Sequence, residues 1–141
     1  MTRQEIDALF ARRRDAFAAR DADAAATLYA PDAVVESPLG GGTVRGRDAN
    51  VEVLRAFFTA FPDVTFNVEE SLVDGDRVAE RIMMSGTDAG GFMGMPPTHK
   101  PFQLPMVSLC RVGNGHIAHE RRIYDFTGML VQIGVLRAKP A

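Results

Sequence analysis

The chain has 141 residues, of which 46% are hydrophobic and 24% charged, with a formal net charge of −2. That length fits a single domain over residues 1–141, which buries roughly two-thirds of its unfolded surface. The charge balance favours no polyanionic partner, so no nucleic acid is expected. Cys110 is the only cysteine, which excludes an intramolecular disulfide and a cysteine-based metal site. Its apolar neighbours indicate a packed residue. No window approaches the roughly 18 apolar residues of a membrane span, and Arg3, Glu5 and Asp7 break the order of a signal peptide. A cytoplasmic protein without membrane contact is the expectation.

Thr2 and Glu5 have capping-box spacing. Ile6, Leu9, Phe10 and Phe17 follow on one helical face. Arg12, Arg13 and Arg14 lie among Asp7, Asp15, Asp21 and Asp23, the pattern of a solvated helix rather than a basic patch. A second short helix starts near Asp21 or Asp23, carries Leu28 and Tyr29, and stops before Pro31. Residues 32–37 read as a strand ended by Pro38. Residues 39–46 hold four glycines and read as a loop, without the Gly-Lys-Ser/Thr of a phosphate loop. A third helix fits residues 47–61, with Val51, Leu54, Phe57, Phe58 and Phe61 as a wide apolar stripe ended by Pro62.

Beyond Pro62 the period changes to two. Val64, Phe66, Val68 and Leu72 alternate with polar residues, Asp74-Gly75 signals a hairpin, and residues 76–88 resume a strand. Residues 90–100 form a long connection. Another strand spans 101–112, Gly113-Asn114-Gly115 signals a second hairpin, and a last strand runs to Asp125. The order predicts an α+β fold: three N-terminal helices on one face of a curved antiparallel or mixed sheet, and a short C-terminal apolar helix. A sheet curled around the helices makes a cone with an apolar pocket at its open end.

Asp125 stands where the last strand gives way to the final helix. Aspartate is among the best helix caps. A carboxylate among Ile123, Tyr124, Phe126, Met129 and Leu130 also suits a buried base. Strict alternation sets Ile117, His119, Arg121, Ile123 and Asp125 on one face and Glu120, Arg122 and Tyr124 on the other. If the first face lines the pocket, His119 and Arg121 contact the ligand. If it faces outward, they belong to a subunit surface. Asp88 either caps a turn beside Gly90-Gly91 or sits at the pocket mouth. Phe57, Phe58 and Phe61 are core or pocket wall. Phe92 and Met93 are packing or lid. Three scattered histidines without matching carboxylates make no metal site.

The chain resembles the SnoaL-like polyketide cyclases of the nuclear transport factor two-like superfamily. The resemblance rests on Leu28-Tyr29-Ala30-Pro31-Asp32-Ala33-Val34 and on the run from Gly86-Thr87-Asp88 through Phe92-Met93-Gly94 to Pro96-Pro97-Thr98. At the end it rests on Gly115-His116-Ile117, Asp125 and Gln132-Ile133-Gly134. It implies that Asp125 is the acid/base of a cofactor-free intramolecular aldol closure, that Tyr29 faces the pocket, and that the chain is a homodimer. The sequence departs from the family at Asp88, at Thr98-His99 and at His119-Glu120-Arg121-Arg122. Residues 101–112 also lack the histidine that the characterised cyclases use. The expected ligand is a small apolar carbonyl compound, with no metal or organic cofactor. Alternatives on the same fold are a non-catalytic binding module, a ketosteroid isomerase and an epoxide hydrolase, the last of which needs two aspartates and an arginine around Asp125.

Overall fold

A computed structural model of the protein describes residues 1–39, 41–137 and 139–140. Helix α1 spans Arg3–Ala18 and opens with the expected capping box. The Glu5 amide donates to the Thr2 hydroxyl at 3.1 Å, and the Thr2 amide donates to the Glu5 carboxylate at 2.8 Å. Its buried face is Ile6, Leu9, Phe10, Arg13 and Ala16. Arg13 therefore leaves the solvated helix surface expected for the arginine run. Helix α2, Ala22–Ala26, is capped by Asp21 and lasts little more than one turn.

Strand β1 then begins at Tyr29 and runs to Glu36, earlier than the sequence pattern suggests. Leu28 and Tyr29 are buried ahead of and within the strand rather than on a helix. Pro31 falls where the pairing of β1 slips, between Tyr29 and Val34, so its missing N–H removes no ladder bond. Within the glycine-rich segment, Thr43–Arg45 forms a short edge strand, β2. Helix α3, Arg47–Ala60, buries Leu54, Phe57, Phe58 and Ala60.

Strands β3 (Thr65–Asp74), β4 (Arg77–Thr87), β5 (Pro101–Gly113) and β6 (His116–Tyr124) follow as antiparallel neighbours, and α4 (Phe126–Gln132) closes the chain. The sheet order is β2-β1-β6-β5-β4-β3. Strand β1 runs parallel to β6, so the sheet is mixed, curved and unclosed, with β2 and β3 at its edges. In the second hairpin Asn114 and Gly115 take φ of 52° and 79°, the left-handed pair a two-residue turn requires. Among the described residues no helix is long and apolar enough to cross a membrane.

Two irregularities decide which side chains face the helices. In β3 the pairing passes from Val68 opposite Ile82 to Glu70 opposite Arg81, so Glu69 is an extra residue. The phase flips there, and Leu72 points outward with 61% exposure instead of joining Val64 inside. In β6 the pairing passes from Ile117 opposite Val112 to His119 opposite Arg111, leaving Ala118 extra. Ile117 and Glu120, three apart, are consequently both buried. The strict alternation expected for this strand does not hold. Glu120, Arg122 and Tyr124 turn toward the helices, whereas His119 and Arg121 turn to the open face.

The core has two parts. Under α1, Ile6, Leu9 and Phe10 pack with Val78, Cys110, Val112 and Ile117. Under α3 and α4, Phe57, Phe58 and Phe61 pack with Phe92, Phe102, Met129 and Ile133. Gly90 lets the long connection touch α3. Its amide donates to the Ala60 carbonyl at 3.0 Å, and a Cβ there would run into the Thr59 carbonyl.

Candidate functional site

A cavity of about 50 Å³ lies between α1, α3 and the inner face of the sheet. Phe17, Leu54, Phe57, Phe66, Ile82, Met84 and Met106 form its apolar wall. Arg13, Arg14, Ser37, Glu80, Glu120, Arg122 and Tyr124 form its polar wall. A smaller cavity of about 20 Å³ adjoins it, lined by Tyr29, Arg47, Leu54 and Arg122. Leu54 and Arg122 belong to both, so they form the partition.

The polar wall is one connected ion cluster. Arg13 comes off α1, donates to Glu80 at 3.0 Å and Glu120 at 3.1 Å, and also reaches the Ser108 hydroxyl at 3.0 Å. Arg14 donates to the second Glu80 oxygen at 3.1 Å. Arg122 donates to Glu120 at 2.9 Å, and the Tyr29 hydroxyl donates to the same oxygen. Ser108 donates to the other Glu120 oxygen at 2.7 Å. Burial alone would push the Glu120 carboxyl up. The charges of Arg122 and Arg13 and their hydrogen bonds outweigh it and hold Glu120 well below the usual carboxylate range. Burial likewise works against the Arg122 cation, but Glu120 raises its affinity for the proton above that of an ordinary guanidinium. Burial lifts the Tyr29 hydroxyl well above the usual phenol range, with the Glu120 charge acting in the same direction.

Arg122 and Tyr124, on one face of β6, keep unused donors. Arg122 employs only Nη2 in hydrogen bonds among the described residues. The Tyr124 hydroxyl makes none with the described residues. Because no buried side-chain nitrogen or oxygen among the described residues lacks a partner, these atoms open onto accessible space. Burial, partly offset by the Arg122 charge, pushes the Tyr124 phenol up to about 12, so it is a neutral donor at ordinary pH.

The residues singled out from sequence are dispersed. Phe57 lines the main cavity, while Phe58 and Phe61 are buried in the core beside it. Tyr29 lines the smaller cavity and bonds Glu120. Phe92 is buried against Phe57, Phe61 and Phe126. Met93 is 62% exposed with φ of 55°. Asp88 is fully buried, and its carboxylate accepts from the Gly91 amide and from the Thr98 amide and hydroxyl, each at 3.1 Å. It clasps the two ends of the connection together. His119 lies on the open face with Nε2 2.9 Å from the Glu36 carboxylate, and Arg121 is exposed beside it. Asp125 is exposed and caps α4, accepting from the Gly128 amide at 2.8 Å. The apolar burial expected around it is absent. Its second carboxylate oxygen makes no hydrogen bond among the described residues.

The cluster itself was not anticipated. Two of its members carry a legible signal: Arg13 shares the helical stripe of Leu9, Phe10 and Ala16, and Glu80 alternates with Val78 and Ile82. Charged residues in phase with a core face indicate buried pairing. Glu120 and Arg122 carry no such signal, because the bulge at Ala118 sets their phase. Among the described residues no group of three or more His, Cys, Asp or Glu is arranged to hold a metal.

The sequence profile of the SnoaL-like polyketide cyclases matches residues 8–133, nearly the whole chain. The chain belongs to the SnoaL-like polyketide cyclase family. Among solved structures it resembles IdmH of Streptomyces antibioticus, a candidate polyketide cyclase. The two are 35% identical with a TM-score of 0.77, over 93% of this chain and 99% of that one. Nogalonic acid methyl ester cyclase of Streptomyces nogalater is 34% identical over 73 residues, 47% of this chain and 54% of that protein. Steroid Delta-isomerase of Nocardioides simplex is 51% identical over 45 residues, 32% of this chain and 37% of that protein. The chain thus spans about half or less of the length of the curated relatives it matches.

Proposed function

We propose that the protein binds a small apolar carbonyl compound in the cavity beneath α3 and catalyses cofactor-free enolisation, leading to ring closure or isomerisation. The observation that carries this reading is the pair of unused donors, Arg122 and Tyr124, opening from one strand face onto an apolar wall. Donors fixed in advance at a carbonyl oxygen stabilise the enolate as its charge develops. A base must then take the α-proton. Both carboxylates in the cavity wall are engaged by arginines, Glu80 by Arg13 and Arg14, Glu120 by Arg13 and Arg122. Asp125 does not line the cavity, but it follows Tyr124 directly at the exposed end of β6 and has one carboxylate oxygen uncommitted, so in this reading it takes the proton from the part of the ligand that projects past Tyr124. Capping α4 through its other oxygen is compatible with that role. The open face of the sheet is where a second copy would dock.

The test follows α-proton exchange of cyclohexanone in deuterated buffer by NMR. The wild-type chain accelerates exchange. Asp125→Asn, which retains a capping oxygen, abolishes it, and Tyr124→Phe slows it by roughly 100-fold, the scale of one lost oxyanion donor. Full exchange activity in Asp125→Asn removes the proposed base. Ligand binding without any acceleration by the wild-type chain favours a non-catalytic binding module.

A further inference from the structure

The cavity wall contains Arg13, Arg14 and Arg122 against Glu80 and Glu120, three cations against two anions. One positive charge is left without a partner inside the wall. The anionic oxygens are fully used: Glu80 takes Arg13 and Arg14 on separate oxygens, and Glu120 takes Arg13 with Ser108 on one and Arg122 with Tyr29 on the other. Arg13 spends both terminal nitrogens on these bonds and is buried. The excess charge therefore resides at Arg122, whose Nε and Nη1 are uncommitted, and at half-exposed Arg14. Solvent screens Arg14. Arg122, with a side chain 17% exposed, is screened much less.

We infer that this cavity selects a small monoanion, with a carboxylate, phenolate or stabilised enolate oxygen against Arg122 Nε and Nη1 and hydrocarbon against Phe57, Ile82 and Met106. A guanidinium edge offers two parallel donors to such a group. The cavity of about 50 Å³ is far below the roughly 300–1,000 Å³ of sites for drug-sized ligands. The occupant is accordingly small: benzene fills a cavity of roughly 150 Å³, so even a single ring enters only if the wall moves aside. The inference rests on the cavity being the site, as proposed above, and narrows its substrate class to acidic carbonyl compounds.

Benzoate and benzamide have nearly the same shape and differ in charge, so titration of the full chain with each, followed by NMR, isolates the electrostatic term. Benzoate should bind at least roughly tenfold tighter, the scale of one charge-assisted hydrogen bond. Arg122→Gln should erase that preference, and so, in smaller degree, should Arg14→Gln, at a position open enough to leave the core packed. Glu80→Gln removes an anion and no cation, so it should tighten benzoate, a change that general loosening of the fold would not produce. Equal affinity for the two probes, binding of neither, or weaker benzoate binding in a folded Glu80→Gln protein overturns the inference. Selective benzoate binding without ketone exchange would keep the anion site and discard the enzyme. Ketone exchange without anion preference would do the reverse.

Discussion

Tyr124 and Asp125 are chain neighbours with opposite surroundings. The phenol opens onto the cavity, while the carboxylate is exposed and holds the first turn of α4. The cap was legible, because aspartate before a short apolar helix satisfies an orphan amide. Its exposure was not, since residues close in sequence say little about what covers a junction. Asp125→Ala should cost about 1 kcal/mol in urea unfolding and Asp125→Asn close to none. A larger loss in the asparagine variant would assign the carboxylate a further structural role. The tyrosines give a second prediction. The chain has only Tyr29 and Tyr124, and burial raises both above the usual phenol value of about 10, Tyr124 to about 12. Between those values an unfolded chain loses phenolic protons that the folded chain keeps. Their contribution to stability is thus complete below about pH 10 and is lost as pH rises toward 12. Ultraviolet titration should find no phenolate signal near pH 10 in the folded protein, and should find it there in urea.

At the scale of elements, apolar periodicity located α1, α3 and the long strands, and the hairpin signals located both turns. The two bulges were invisible, since an extra residue leaves no mark on the alternation except a change of phase. Their consequence is large. Without Ala118 as the extra residue of β6, His119 and Arg121 would face inward in place of Glu120 and Arg122. The same cluster fixes α1 to β4 and β6. Arg13 is its hub, also stacked on Phe10 at 4.9 Å. Replacing it with Met would fill the space but leave Glu80 and Glu120 buried with one cation fewer. Arg13→Met should therefore destabilise by about 3–5 kcal/mol, whereas Arg12→Met, on the exposed face of the helix, should change little. Chemical denaturation compares the two. Equal small effects would mean that α1 is held by its apolar stripe alone.

The whole molecule divides along its sheet. One face carries the helices, both core clusters and the cavity, and that division was legible from the order of helices and strands. Among the described residues no element lies over the centre of the other face, and there the register sets Leu72, Ala79, Leu109 and Arg121 in one row and Glu70, Arg81, Val107 and Ile123 in the next. Leu72, Leu109 and Ile123 are 61%, 42% and 50% exposed. Clustered aliphatic side chains bordered by charges of both signs are the composition of a protein interface rather than of a solvated surface. A second copy offers the same rows in reverse, so an isologous pair on this face would bury the leucines. Sedimentation of the wild-type chain should give a dimer, and Leu109→Arg, at the middle of the row, should give a monomer whose cavity still binds benzoate. A wild-type monomer at micromolar concentration, or a Leu109→Arg dimer, would remove this face as the contact.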